Sequence, residues 1–85
     1  MTNPLAKHIA GINQVASKFQ SSIVVKFDDK NIDVKSILGL FTSLTGASSY
    51  QLEVRGTDAT QAATEVKTAF ENAGVKIDSV VVEEV

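Results

Sequence analysis

Tyr50-Gln51-Leu52-Glu53-Val54-Arg55-Gly56 is the stretch that decides the fold. Apolar Tyr50, Leu52 and Val54 alternate with polar Gln51, Glu53 and Arg55, the period of a strand with one face on a core and one toward solvent. Gly56 ends the strand, and Thr57 or Asp58 is placed to cap a following helix. In that helix Ala62, Ala63, Val66, Ala69 and Phe70 recur at helical spacing, and Gly74 stands where a left-handed C-terminal residue belongs.

Working back, Ser22–Phe27 is rich in β-branched and aromatic residues and reads as a strand. Asp28-Asp29-Lys30-Asn31 is a turn by composition, and Ile32 and Val34 then share one face of a short second strand, making a hairpin. Residues 36 to 45 (Ser36, Ile37, Leu38, Leu40, Phe41, Leu44) form a short apolar helix with Ser36 as N-cap candidate and Gly46 beyond its end. Gly39 inside it asks for a packing reason.

The chain opens with a helix. Asn3 is the N-cap candidate, Pro4 suits the first helical position, and Leu5, Ile9, Ile12, Val15 or Ala16, and Phe19 form its stripe, which stops near Phe19 or Gln20. Gly11 suggests a close backbone approach. Val75–Val85 reads as a terminal strand. Its consecutive Val80, Val81 and Val82 mean either that both faces are covered or that the strand is an edge meeting another chain. The order is α-β-β-α-β-α-β, an α+β fold expected as one domain over residues 1–85.

Composition narrows function. The chain has 85 residues, 44% hydrophobic and 21% charged, enough for one core and unlike a disordered tract. Eight basic and ten acidic residues give net charge −2, and the lysines are scattered rather than in a stripe. With no Trp and one Tyr, nucleic-acid binding is not expected. No apolar run approaches the ~20 residues of a membrane span, so no membrane role is expected and the cytoplasm is the default location. Cysteine is absent, and one histidine with scattered acids makes no metal site, so no cofactor is expected.

The stretch Ala16-Ser17-Lys18-Phe19, the strand Ser22–Asp28 and the run Val34-Lys35-Ser36-Ile37-Leu38-Gly39-Leu40 together resemble the HPr family, the small phosphocarriers of the phosphoenolpyruvate-dependent sugar phosphotransferase system. The similarity spans roughly residues 5 to 73, with Lys-Ser-Ile-x-Gly its most specific part. It implies an open-faced sandwich, a four-stranded sheet with three helices on one face. Family members open with a strand, order their sheet 1-4-2-3, and are antiparallel throughout. This chain matches from the first helix onward. Its C-terminal strand is expected at the edge that strand 1 normally holds, running parallel to the Tyr50–Gly56 strand because a helix returns it. Exchange of that strand between two copies is the rival arrangement.

The resemblance also assigns chemistry by position. Leu5 stands where the family carries its phosphoryl-accepting histidine, Lys7 at its arginine and His8 at its proline. Leucine accepts no phosphoryl group, so no catalytic residue is assigned, and His8, the only histidine, is the candidate displaced phosphoacceptor. Ser36 matches the serine phosphorylated for regulation in some members. Ile37, Leu40, Phe41 and Leu44 are the candidate partner-binding surface. The expected partners are proteins of the phosphotransferase system or its regulation, met by a monomer or a strand-exchanged homodimer. Asp28 and Asp29 are explained by the turn, and Glu83 and Glu84 as solvated residues of an exposed strand end.

Overall fold

The alternation in Tyr50–Gly56 is realised residue by residue. In a computed structural model, which describes residues 4–43 and 49–85, with side chains described for 7–40 and 49–85, Tyr50, Leu52 and Val54 are buried and Gln51 and Glu53 half-buried. The elements are α1 (Pro4–Ser17), β1 (Ser22–Phe27), β2 (Lys30–Asp33), α2 (Ile37–Ser43), β3 (Tyr50–Gly56), α3 (Ala59–Asn72) and β4 (Ile77–Glu84). The sheet order is β2-β1-β3-β4. β1 pairs antiparallel with both β2 and β3, in a register setting Val25 opposite Leu52, and β4 pairs parallel with β3. The result is an α+β open-faced sandwich with a mixed sheet, and the C-terminal strand lies beside β3 in the direction the sequence implies.

The core is built from one face of each element. Ile9, Ile12 and Ala16 of α1, Leu40 of α2, and Ala59, Ala62, Ala63, Val66 and Phe70 of α3 pack with Ile23, Val25, Phe27, Tyr50, Leu52, Val54 and Ile77 of the sheet. The Phe27 and Tyr50 rings sit 5.4 Å apart, tilted at 54°, an arrangement that favours edge-to-face attraction and locks one end of β1 to β3.

Helix ends show where local chemistry wins. α1 stops at Ser17 and closes with i→i+3 bonds from Lys18 and Phe19 to Val15 and Ala16. Phe19 still reaches the core, so its apolar spacing outruns the helix by two residues. α3 ends with Val75 N–H on Phe70 O, Gly74 N–H on Glu71 O, and Gly74 at φ +81°, the left-handed closure its glycine foretold. Asp28 takes φ +52° in the β1–β2 turn, where aspartate is among the few side-chain-bearing residues at ease. Gly11 departs from expectation: a Cβ there would meet nothing within 4 Å, so no backbone approaches it. Asn3, Leu44 and Gly46 lie outside the described residues.

The N-terminus of α3 is capped from an unexpected direction. Asp58 occupies the N-cap position, but its side chain makes no cap bond. Its carboxylate instead accepts Gln20 N–H (2.9 Å), Ser21 N–H (3.0 Å) and the Ser21 hydroxyl, joining the α1–β1 connection to the β3–α3 turn. The acceptor for α3 comes from β4, where Glu84 Oε1 takes Thr60 N–H at 3.1 Å. Glu83 pairs with Arg55 at 3.4 Å across β3 and β4. The terminal acids therefore stitch β4 to its neighbours as well as solvate it.

β4 is an edge strand. A register shift lies between Tyr50 and Gln51, after which Leu52 faces Val80, Glu53 faces Val81 and Val54 faces Val82. Val80 packs on the core, while Val81 and Val82 stay 48% and 41% exposed. Only one face of β4 is covered, against the reading in which both are.

Candidate functional site

The turn from β2 into α2 is held by a set of hydrogen bonds and by Val34, which is fully buried in the core. Asp33 Oδ1 accepts Lys35 N–H at 2.9 Å, and its backbone carbonyl accepts Ser36 N–H at 2.9 Å. Such short-range bonding of an aspartate to its own backbone favours a turn over a longer strand. Lys35 is then held at both ends. Its carbonyl accepts Asn13 Nδ2 at 2.8 Å, and its ammonium donates to Phe19 O at 2.8 Å, at the frayed end of α1.

Ser36 follows as the N-cap its sequence position indicates. Its Oγ accepts Gly39 N–H at 3.3 Å, and its carbonyl accepts Leu40 N–H at 3.0 Å. Gly39 finds its reason here. A Cβ would lie 3.1 Å from Ile32 Cγ2 and 3.3 Å from Ser36 Oγ, tight against the strand and the capping hydroxyl at once. Ser36 itself is exposed.

The apolar residues after it divide between surface and core. Ile37 is 45% exposed and Leu38 77%. Leu40 is fully buried, which removes it from the candidate partner surface: it is the residue by which α2 holds the core. The Phe41 side chain and Leu44 lie outside the described residues. Leu38 is the surface residue that the sequence reading left out. At ~100° per residue it sits about 200° round the helix from Leu40, so once Leu40 takes the core, Leu38 faces solvent. That helical angle was the available signal.

His8 is exposed on α1 and lines a shallow groove between α1 and α3 with Lys7, Gly11, Ile12, Val15, Ala69 and Asn72. The groove brings an imidazole and an ammonium together over an apolar floor, and no carboxylate lines it. Ser36 is elsewhere, and the residue before it, Lys35, is tied to α1 through Asn13. Among the described residues no group of three or more His, Asp or Glu is placed to hold a metal ion, and no helix is long and apolar enough to cross a membrane.

Comparison with known proteins agrees with this architecture. The family described as the PTS HPr component phosphorylation site matches residues 5–72. The crystal structure of Crh, the Bacillus subtilis catabolite repression containing protein, is similar over 84% of this chain and 82% of that one, with TM-score 0.70 and 27% identity; that protein forms a dimer with a swapped domain. The histidine-containing phosphocarrier protein of Mycoplasma is similar over 89% of this chain and 84% of its own, with TM-score 0.67; at 24% identity it supports the fold alone. No curated protein sequence matches.

Proposed function

The chain belongs to the HPr family, whose members are non-catalytic phosphocarriers working through protein–protein contact, and on that premise we propose that it is a contact protein that relays no phosphoryl group from phosphoenolpyruvate. The reading rests on position and chemistry. Leu5 occupies the place of the family's reactive histidine and offers no nucleophile. β4 lies at the sheet edge beside β3 and runs parallel to it, at the edge where the family's antiparallel first strand would lie.

The observation that carries the proposal is the Ser36 surface. An exposed serine, its hydroxyl on Gly39 N–H, is followed by two exposed large apolar side chains, Ile37 and Leu38. Exposed apolar residues beside a modifiable hydroxyl make a docking patch whose affinity a phosphate can change through charge. The partner is a protein of the phosphotransferase system or of its regulation, met in the cytoplasm by the single domain formed by the whole chain. The test is incubation with the family's serine-specific kinase and ATP. Incorporation that Ser36→Ala abolishes supports the reading; an unmodified Ser36 under conditions that phosphorylate another family member contradicts it.

A second reading is a strand-exchanged dimer, favoured by the exposed Val81 and Val82 of the β4 edge. Sedimentation with and without residues 75–85 separates the two: a full-length chain that stays monomeric at high concentration removes the dimer.

A further inference from the structure

Asn13 is the residue whose chemistry the function above does not use. It sits on α1 between buried Ile12 and exposed Gln14, in a helix whose core stripe does not need it. Its side-chain amide nevertheless crosses to another element, donating to Lys35 O at 2.8 Å and lying 3.5 Å from Val34 O. Those two carbonyls immediately precede Ser36. A strand end followed by a turn leaves such carbonyls without sheet partners, and an amide donor from a neighbouring helix is one way to satisfy them.

Lys35 completes the arrangement. Its N–H goes to Asp33, its carbonyl receives Asn13, and its ammonium donates to the Phe19 carbonyl. All three of its polar groups are bonded within the protein, so the residue before Ser36 is an anchor. Ser36 projects from an anchored residue, and Gly39 leaves room for its hydroxyl. The position of the hydroxyl and of Ile37 and Leu38 is therefore referred to α1 through the Asn13 amide, with the Lys35 ammonium tied to the segment just beyond the helix.

We propose that Asn13 is the positioning residue of the Ser36–Leu38 surface, holding the turn from which that surface projects. The inference rests on the reading of this surface as the working one. Its test does not, because it requires neither kinase nor partner: failure of Ser36 to be phosphorylated would sink the functional reading and leave this measurement standing.

The experiment is amide hydrogen exchange on the full chain, comparing wild type with Asn13→Ala and Asn13→Asp. Loss of the donor in Asn13→Ala is expected to lower protection of the Gly39 and Leu40 amides about tenfold, the effect of one net side-chain hydrogen bond, while Leu52 and Val66 keep theirs. Asn13→Asp is nearly isosteric. Ionised, it sets an acceptor against the two carbonyls and should lose the same protection; protonated in acid, it regains an O–H donor and should recover the Gly39 and Leu40 amides relative to Asn13→Ala at the same pH. Unchanged protection in Asn13→Ala, a uniform loss across the core, or no acid recovery in Asn13→Asp would each overturn the proposal. Should Asn13→Ala not fold, the acid recovery in Asn13→Asp against its own neutral-pH state decides, with Leu52 and Val66 as internal references.

Discussion

Asp58 accepts both the hydroxyl and the backbone N–H of Ser21, a residue 37 positions earlier, instead of capping the helix it begins. Ser21 is 1% exposed, so its hydroxyl and N–H both need an acceptor within the protein. The exchange works because Glu84 supplies the helix with a carboxylate from β4. The sequence offered Thr57 or Asp58 as the cap; Asp58 holds that position, but its side chain makes no cap bond.

Asp58 should make stability fall in acid. Its carboxyl is held below the ordinary value, first by the Ser21 hydroxyl and then by Gln20 N–H. A folded-state pKa below the unfolded one means the unfolded chain binds more protons in between. The stabilisation is thus complete above the unfolded pKa of about 4 and is lost as pH falls through the folded one. Urea midpoints measured from neutral to acid pH should drop over that window in wild type and drop less in Asp58→Asn, which starts lower.

Gly56 should tolerate no side chain. Its φ is +152°, and a Cβ would lie 2.6 Å from the Ser21 Cα, which is backbone and has no rotamer to escape into. Gly56→Ala should cost at least about 2 kcal/mol in urea unfolding. Gly74→Ala should cost about 1 kcal/mol, since φ +81° is unfavourable for alanine but the space is open.

Leu40 and Leu38 should separate core from surface. Leu40→Ala is expected to cost about 2–5 kcal/mol because it opens a cavity where α2 meets the core. Leu38→Ala should change stability by no more than about 0.5 kcal/mol. Chemical denaturation of both variants checks this directly.

The register of β4 can be tested by charge. Val80→Asp places a carboxylate beside Leu52 on the core face and should destabilise by about 2 kcal/mol or more, whereas Val81→Lys, beside Glu53 on the outer face, should be close to neutral. Equal losses in thermal unfolding would mean a different register.

Much of this was legible because local pattern and tertiary demand agree. The alternation in Tyr50–Gly56, the stripe from Ala62 to Phe70 and the glycine at position 74 each specify one structure. The edge role of β4 was readable from its consecutive valines together with the resemblance. What the sequence hid depends on residues far apart in the chain. Asn13 looks like an ordinary helix surface residue until Lys35 is beside it. Glu84 looks like solubilising charge until Thr60 is in reach. Leu40 was grouped with Ile37 because composition does not say which side of a short helix meets the core.

The central claim is that this member of the family works by contact and accepts no phosphoryl group from phosphoenolpyruvate through the general phosphotransferase enzyme. The direct measurement is incubation with labelled phosphoenolpyruvate and the general phosphotransferase enzyme. The account predicts no label on the chain, with an active family member labelled in the same mixture. Stoichiometric label would contradict it, and its loss in His8→Ala would identify the residue responsible.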